Sequence, residues 1–213
     1  NKIKKRICFV NLGGIINLTY LNHRIKNSLD NMLAFDTGPC CSLLDDWINF
    51  KINKNIDDEG KYSSQGKVNI EVIKSYFKNN FFSKKPPKSL DRSFFSIKNI
   101  TKNTSLKDGA ATLCSFSSDT LADSLKFLPD KPEIIILSGG GRKNKFLVKQ
   151  IKKKIDCSVH LSDNFNWNGD SIEAFAFGFL AVRRVLNLPL SFPKTTGVKK
   201  PITGGEISNF SLS

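Results

Sequence analysis

The chain predicts an α/β fold with a mixed five-stranded sheet flanked by helices. Three observations carry this. Three short β-rich segments near the start give way to helical spacing of apolar residues, the order of a sheet with helices on its faces. A run of isoleucines, Glu133 to Leu137, then passes through a triple glycine into a basic helix. The 213 residues are 39% hydrophobic, enough to bury a sizeable core.

The elements follow in order. Arg6 to Leu12 is rich in Ile, Cys, Phe and Val, as a buried strand is. Gly13-Gly14 interrupts it and Ile15 to Leu21 continues as a second strand, a hairpin signal. A third strand ends at Phe35. From Cys41 to Lys51, Leu43, Leu44, Trp47 and Ile48 recur at helical spacing. Asp57 to Gly60 is a polar loop, and Val68 to Phe77 a helix. Lys84 to Ser89 contains Pro86-Pro87 and reads as a rigid extended linker. Leu106 to Leu128 is the longest helical pattern. Glu133 to Leu137 is the clearest strand, followed by the glycine run, a basic helix from Lys145 and a short strand at Ser158 to Leu161. Ser171 to Leu186 is apolar on nearly all sides and is expected to be buried. The tail from Pro189 is loop-like. No internal repeat or low-complexity tract interrupts this order.

Composition excludes several classes. No apolar run approaches the ~18 residues of a membrane span. The start, Asn1 to Arg6, is basic and leads straight into a strand, unlike a signal peptide. It has no initiator Met, so the chain is expected to be a fragment or a processed piece. Net charge is +14, from 33 Lys and Arg against 19 Asp and Glu. Such a charge can serve a nucleic acid or an anionic membrane. Here the lysines are scattered and no RNA-binding aromatic signature occurs, so a bias toward Lys, Asn and Ile is the preferred explanation. Five irregularly spaced cysteines argue against a disulfide framework and for a reducing compartment. Two histidines and no CxxC leave no structural zinc site and no metal-ligating set.

Three motifs carry chemistry. In Asn11-Leu12-Gly13-Gly14, with Asn17 and Thr19 beyond it, glycines let backbone N–H groups approach an anion closely. Taken alone, the turn is first an ordinary tight hairpin. In Phe35-Asp36-Thr37-Gly38-Pro39-Cys40-Cys41, a carboxylate at a strand end precedes a helix. It can orient a water or hydroxyl for phosphoryl transfer, where positioning matters more than base strength. Equally, it can cap that helix. In Ser138-Gly139-Gly140-Gly141, followed by Asn144, three glycines exceed what a strand-to-helix turn needs. The sequence is neither a Walker A loop nor GxGxxG.

Together these segments resemble the anhydro-N-acetylmuramic acid kinase family. The family's second lobe carries VN(I/L)GGIAN(I/L)T, then FDTGPxN, then (L/C)(S/C)GGGxxN. Here they read Val10 to Thr19, Phe35 to Pro39, and Leu137 to Asn144. Lesser matches are Asp57 with Gly60, Gly66-Lys67-Val68, Pro86 to Ser89, Ala111-Thr112-Leu113, Glu173 to Phe177, and Thr196-Gly197. They cover nearly the whole chain in order.

The resemblance implies that residues 1–213 form the C-terminal lobe of a two-lobed sugar kinase of the actin/hexokinase/Hsp70-like ATPase fold. It implies ATP and Mg2+ as cofactors and 1,6-anhydro-N-acetylmuramic acid as the sugar, opened by water and phosphorylated on O6 in peptidoglycan recycling. Asp36 matches the catalytic aspartate. Asn11, Gly13 and Gly14 match the phosphate loop, and Gly139, Gly140, Gly141 and Asn144 the nucleotide-side turn. Thr37, Gly38 and Glu173 are implied on the sugar, Glu173 with a buried ion-paired residue as its alternative. The family suggests a homodimer and no membrane or specific nucleic-acid partner.

There are two departures. Cys40 and Cys41 replace a small residue and an Asn, and a thiol at a helix N-terminus is open to a lowered pKa. The first-lobe motif GT(M/T)SGTSxDGxD is not in these residues, so the implied protein is longer, with a split gene or a non-catalytic remnant as alternatives. Another sugar kinase of the same superfold and a basic nucleic-acid-binding module are the rival functions. The pairing of FDTGP with LSGGGRKN weighs against the first and the scattered lysines against the second.

Overall fold

A computed structural model describes residues 5–25 and 31–208; the first four residues of the basic start lie outside them. Five strands form one sheet in the order β3-β2-β1-β4-β5. β1 (Arg6–Leu12), β2 (Ile15–Asn22) and β3 (Met32–Pro39) are antiparallel, and β4 (Ile134–Ser138) and β5 (Ser158–Leu161) run parallel to β1. This is the expected mixed five-stranded sheet, with β1 at its centre between β2 and β4.

Strand period decides the two faces. Cys8, Val10 and Leu12 point into a helical layer and are fully buried. Phe9 and Asn11 point the other way and are half-buried.

The helical layer is α1 (Cys41–Ile52), α2 (Ile70–Phe77), α3 (Leu106–Ser124) and α4 (Lys145–Lys154). Leu43, Leu44, Trp47 and Ile48 form the buried stripe of α1. Asn69, Ser105 and Asn144 accept hydrogen bonds from first-turn amides of α2, α3 and α4 and so define where each begins. This is why α2 starts at Ile70 and not at Val68. α3 is the axis of the layer, buried from Gly109 to Ser118. Its small residues let other elements approach: a Cβ on Gly109 would overlap the Trp47 indole.

Two expectations are corrected. The third strand continues past Phe35 to Pro39 through a β-bulge: Ile16 faces Gly38 and Asn17 faces Asp36, leaving Thr37 as the extra residue. Helix α5 (Ile172–Val185) has no buried residue, although its composition predicts burial. It lies on the open face of the sheet and meets it through its first turns, across cavities lined by Ile172, Phe175 and Ala176. Among the described residues nothing covers the rest, and Phe175 is 73% exposed. Past α5 the tail forms one helical turn, α6 (Pro193–Thr196), which returns to β3. The extended stretch Lys84 to Ser89 is tied to the sheet. Its end runs beside β3, where Asp36 N donates to Lys88 O at 2.9 Å.

Gly109→Ala tests the packing of the helical layer. Helix propensity favours alanine by about 1 kcal/mol. Overpacking against a rigid buried ring costs about 1–3 kcal/mol, and Trp47 cannot swing away because its Nε1 donates to Leu106 O at 2.9 Å. The expected outcome is net destabilisation, read as a lower denaturant midpoint in chemical unfolding.

Candidate active site

The open face of the sheet carries a row of polar residues that no one strand contains. Register pairs Asp36 with Asn17, Asn17 with Asn11, and Asn11 with Ser138. Each lies on the face away from the helices, so four strands contribute one side chain each to a single line. Asp36 sits at its β3 end, half-buried. Its Oδ1 accepts from Asn17 Nδ2 at 3.0 Å and its Oδ2 from Leu90 N at 2.8 Å. Each carboxylate oxygen keeps a second lone pair. The helix-cap alternative for Asp36 is ruled out: the N-cap of α1 is Cys40, with no side-chain cap bond.

At the other end of the row, β4 runs into the glycine turn. Gly139 has φ +78°, a left-handed conformation, and a Cβ there would strike Asn11 Oδ1. Glycine is required on both counts. A Cβ on Gly140 would meet nothing within 4 Å. The turn thus places bare backbone beside Asn11 and open space in front of Gly140. A cavity of about 380 Å³ lies here, lined by Asn11, Asn17, Ser138, Gly139, Gly140 and Glu173 among others. Next to it is an apolar cavity of about 580 Å³ under Phe9, Trp167 and Phe175, where the Phe9 and Trp167 rings stack at 6.0 Å.

The hairpin turn is held from behind. Gly13 O accepts from Cys41 N at 3.1 Å, and Gly14 O from Cys40 N at 2.9 Å and Ser42 Oγ at 2.7 Å. The start of α1 therefore clamps the Gly13-Gly14 tip against the sheet.

The structure thus gathers Asn11, Gly139, Gly140 and Glu173 around one cleft, with Asp36 adjoining through Asn17. It separates others. Thr37, 1% exposed, and Gly38 are turned by the bulge toward the helices. A Cβ on Gly38 would lie 2.6 Å from Thr120 Oγ1 in α3. In this conformation neither opens to the cleft, a correction to their expected place on the sugar. Asn144 is buried. Its Oδ1 accepts from Leu147 N at 2.9 Å as the cap of α4, so its side chain supports the turn from below. Gly141 packs beneath the turn, where a Cβ would stand 2.9 Å from Cys41 Sγ. The Cys40 thiol is pushed well up, first by its hydrogen bond with Cys41 and then by burial, the reverse of the lowered pKa a helix N-terminus suggests. Asn17, Ser138 and Asp170 reach the cleft without having been assigned to it. The hairpin motif included Asn17, but only the register shows which residues it meets.

A third cavity, about 300 Å³, lies behind the glycine turn, lined by Asp45, Asp58, Glu59, Gly140 and Lys143 among others. Burial, with Asp46 nearby, raises Asp45 to about 6.

Fold and site define an α/β protein in which a glycine turn and the Glu173 carboxylate line one cleft on the open face of a mixed sheet, with Asp36 beside it through Asn17. The chain belongs to the anhydro-N-acetylmuramic acid kinase family, whose model matches residues 1–209. An anhydro-N-acetylmuramic acid kinase of Zymomonas mobilis subsp. mobilis is 44% identical over 201 residues, covering 94% of this chain and 54% of its own length. Those of Methylorubrum populi and Rhizorhabdus wittichii are 37% and 39% identical, each covering 93% of this chain and 51% and 53% of their own lengths. The chain spans about half the length of these curated relatives. Among solved structures, the activator of the 2-hydroxyisocaproyl-CoA dehydratase from Clostridium difficile with bound ADPNP aligns with 76% of this chain and 55% of its own. Its TM-score is 0.47 and its identity 15%. Among the described residues no helix is long and apolar enough to cross a membrane.

Asp45 yields a pH-dependent stability. Its folded pKa of about 6 lies above the unfolded value. The folded state therefore holds this proton more tightly, and the carboxyl's contribution to stability falls as pH rises from about 4 to about 6. Asp45→Asn is expected to stabilise the protein by about 1 kcal/mol at pH 7, discounted for partial exposure. The gain should vanish near pH 4, as read by thermal melts at the two pH values.

Proposed function

We propose that this chain is the second lobe of a two-lobed kinase that uses ATP and water to open 1,6-anhydro-N-acetylmuramic acid and phosphorylate its O6. The row Asp36–Asn17–Asn11–Ser138, facing the glycine turn and Glu173 across one cleft, carries the reading. It sets a fixed carboxylate and backbone suited to phosphate on one surface, which phosphoryl transfer requires.

Asp36 takes a proton from the water that attacks the anomeric carbon. The bond from that carbon to O6 breaks, and O6 bonds to the γ-phosphorus as the bond to the bridging oxygen breaks, leaving ADP and N-acetylmuramic acid 6-phosphate. Asn17 Nδ2 and Leu90 N keep the Asp36 carboxylate oriented, each through one oxygen, so the remaining lone pairs face the substrate side. Asn11 and the backbone at Gly13, Gly14, Gly139 and Gly140 receive the phosphates, with Gly141 and Asn144 supporting the turn. Glu173 accepts hydrogen bonds from sugar hydroxyls. Thr37 and Gly38 act at one remove, by setting the bulge that aims Asp36.

The cleft suits ATP: Gly139 and Gly140 offer backbone that any side chain would obstruct at Gly139. Mg2+ fits as a companion of the nucleotide, because it binds through phosphates, waters and one or two carboxylates. When bound it neutralises phosphate charge. The half of the relatives' length that this chain does not span would supply the opposing phosphate loop and a cover for the exposed side of α5. A cytoplasmic setting and a homodimer complete the proposal.

The direct test joins this chain to the first lobe of a relative and measures phosphate incorporation into the anhydro sugar with Mg-ATP. Turnover is expected; a folded two-lobed protein without it would refute the reading. In that protein Asp36→Asn should lower kcat by about a thousandfold or more while ATP affinity changes less than about threefold. Equal activity would remove Asp36 from the chemistry.

A further inference from the structure

Arg142 is the one strongly buried arginine on the glycine turn, and neither phosphate nor sugar accounts for it. Its side chain is 6% exposed. Nε and Nη2 donate to Asp163 at 2.7 and 3.2 Å, a two-pronged grip on the loop after β5. Nη1 donates to Gly139 O at 3.0 Å and to Asp170 Oδ1 at 2.8 Å, just before α5. Lys143 Nζ holds the other oxygen of Asp170 at 2.9 Å. Space for the guanidinium depends on Gly169, whose missing Cβ would overlap Arg142 Nε.

The consequence is geometric. Glu173 stands in the first turn of α5, three residues after Asp170. Gly139 forms the facing wall of the same cavity. One guanidinium atom, Nη1, bonds to both walls. Because α5 has no buried residue to lock it onto the sheet, its placement depends on such a tie more than that of any helix in the buried layer.

We infer that Arg142, with Asp170, is a positioning pair that sets Glu173 at its working distance from the nucleotide-side glycine turn. The inference rests on the proposed kinase reading for what Glu173 does, but the tie itself does not. A planar guanidinium is needed, since a lysine ammonium cannot reach three acceptors on three segments in one plane. Both carboxylates are held below their usual range by Arg142, Asp170 at about 2. The tie therefore stays ionised through the whole range in which the protein is assayed.

Two experiments test it. In hydrogen–deuterium exchange on this chain, Asp170→Asn and Arg142→Lys should each speed exchange at least about fivefold in residues 139–141 and 172–176, with α1 and α3 unchanged. Unchanged exchange in those two segments would overturn the tie, and so would a general rise across the fold, which would mark a merely structural role. In the two-lobed protein, Asp170→Asn should raise the KM for the sugar about tenfold while the KM for ATP moves less than about twofold. In a Glu173→Gln background the same change should add nothing, because both act through one contact. Additive effects, or equal losses for ATP and sugar, would overturn the positioning role. A wild-type protein that shows no turnover would refute the kinase reading and leave the exchange result to decide the tie.

Discussion

The pairing of β1 with both its neighbours is the constraint on which the rest of this structure depends. A strand shows alternate residues to opposite faces, so a shift of one residue would exchange the faces entirely. Burial of Cys8, Val10 and Leu12 beneath the helices forbids that shift. Phe9 and Asn11 are therefore left on the open face, and Asn17 and Ser138 come to rest beside Asn11. The polar row is a by-product of the apolar one: the hydrophobic effect on one side of the sheet aligns the chemistry on the other.

The bulge at Thr37 extends this logic to the sheet edge. It places Asp36 opposite Asn17 while turning Thr37 and Gly38 toward α3. The segment Lys88 to Leu90 then runs along the edge, giving one hydrogen bond to the Asp36 carboxylate and taking one from its amide. An edge carboxylate would otherwise be free to rotate in water. Here it is held by donors from β2 and from the neighbouring segment, and the backbone on its other side is occupied. The clamp of Gly13 and Gly14 by α1, and the support of the glycine turn by Asn144 and Gly141, work in the same way: helix starts are spent on stiffening turns.

The two sides of the molecule differ in how they are held. The helical layer is locked by close packing, in which Gly109 accepts the Trp47 ring and α3 meets three other helices. Among the described residues the open face has no such layer. α5 stands over it on a few first-turn contacts and on the charged tie through Arg142, and exposes Phe175, Phe177 and Phe179. A cleft needs space between its walls, so the wall bearing Glu173 cannot be fixed by filling that space with side chains. Hydrogen bonds at the rim do it instead.

Much of this was legible in the residues. The strands, the helices and their order follow from period, glycine and caps, and the spacing of Val10 to Thr19, Phe35 to Pro39 and Leu137 to Asn144 named the family. These are local signals, and local propensities act over a few residues. What the sequence could not show depends on pairs far apart in it. Thr37 and Gly38 read as cleft residues because a bulge is invisible until the partner strand sets the register. α5 read as buried because apolar composition reports a need for cover and not whether cover is present. Arg142 was not singled out, because its carboxylates lie 21 and 28 residues away. The sequence by itself determined the elements and the family, through short-range backbone preferences, side-chain period and motif. Only the tertiary structure decided which of the matched residues share a cleft and what holds its walls apart, because register and long-range charge pairing exist only once the chain has closed on itself.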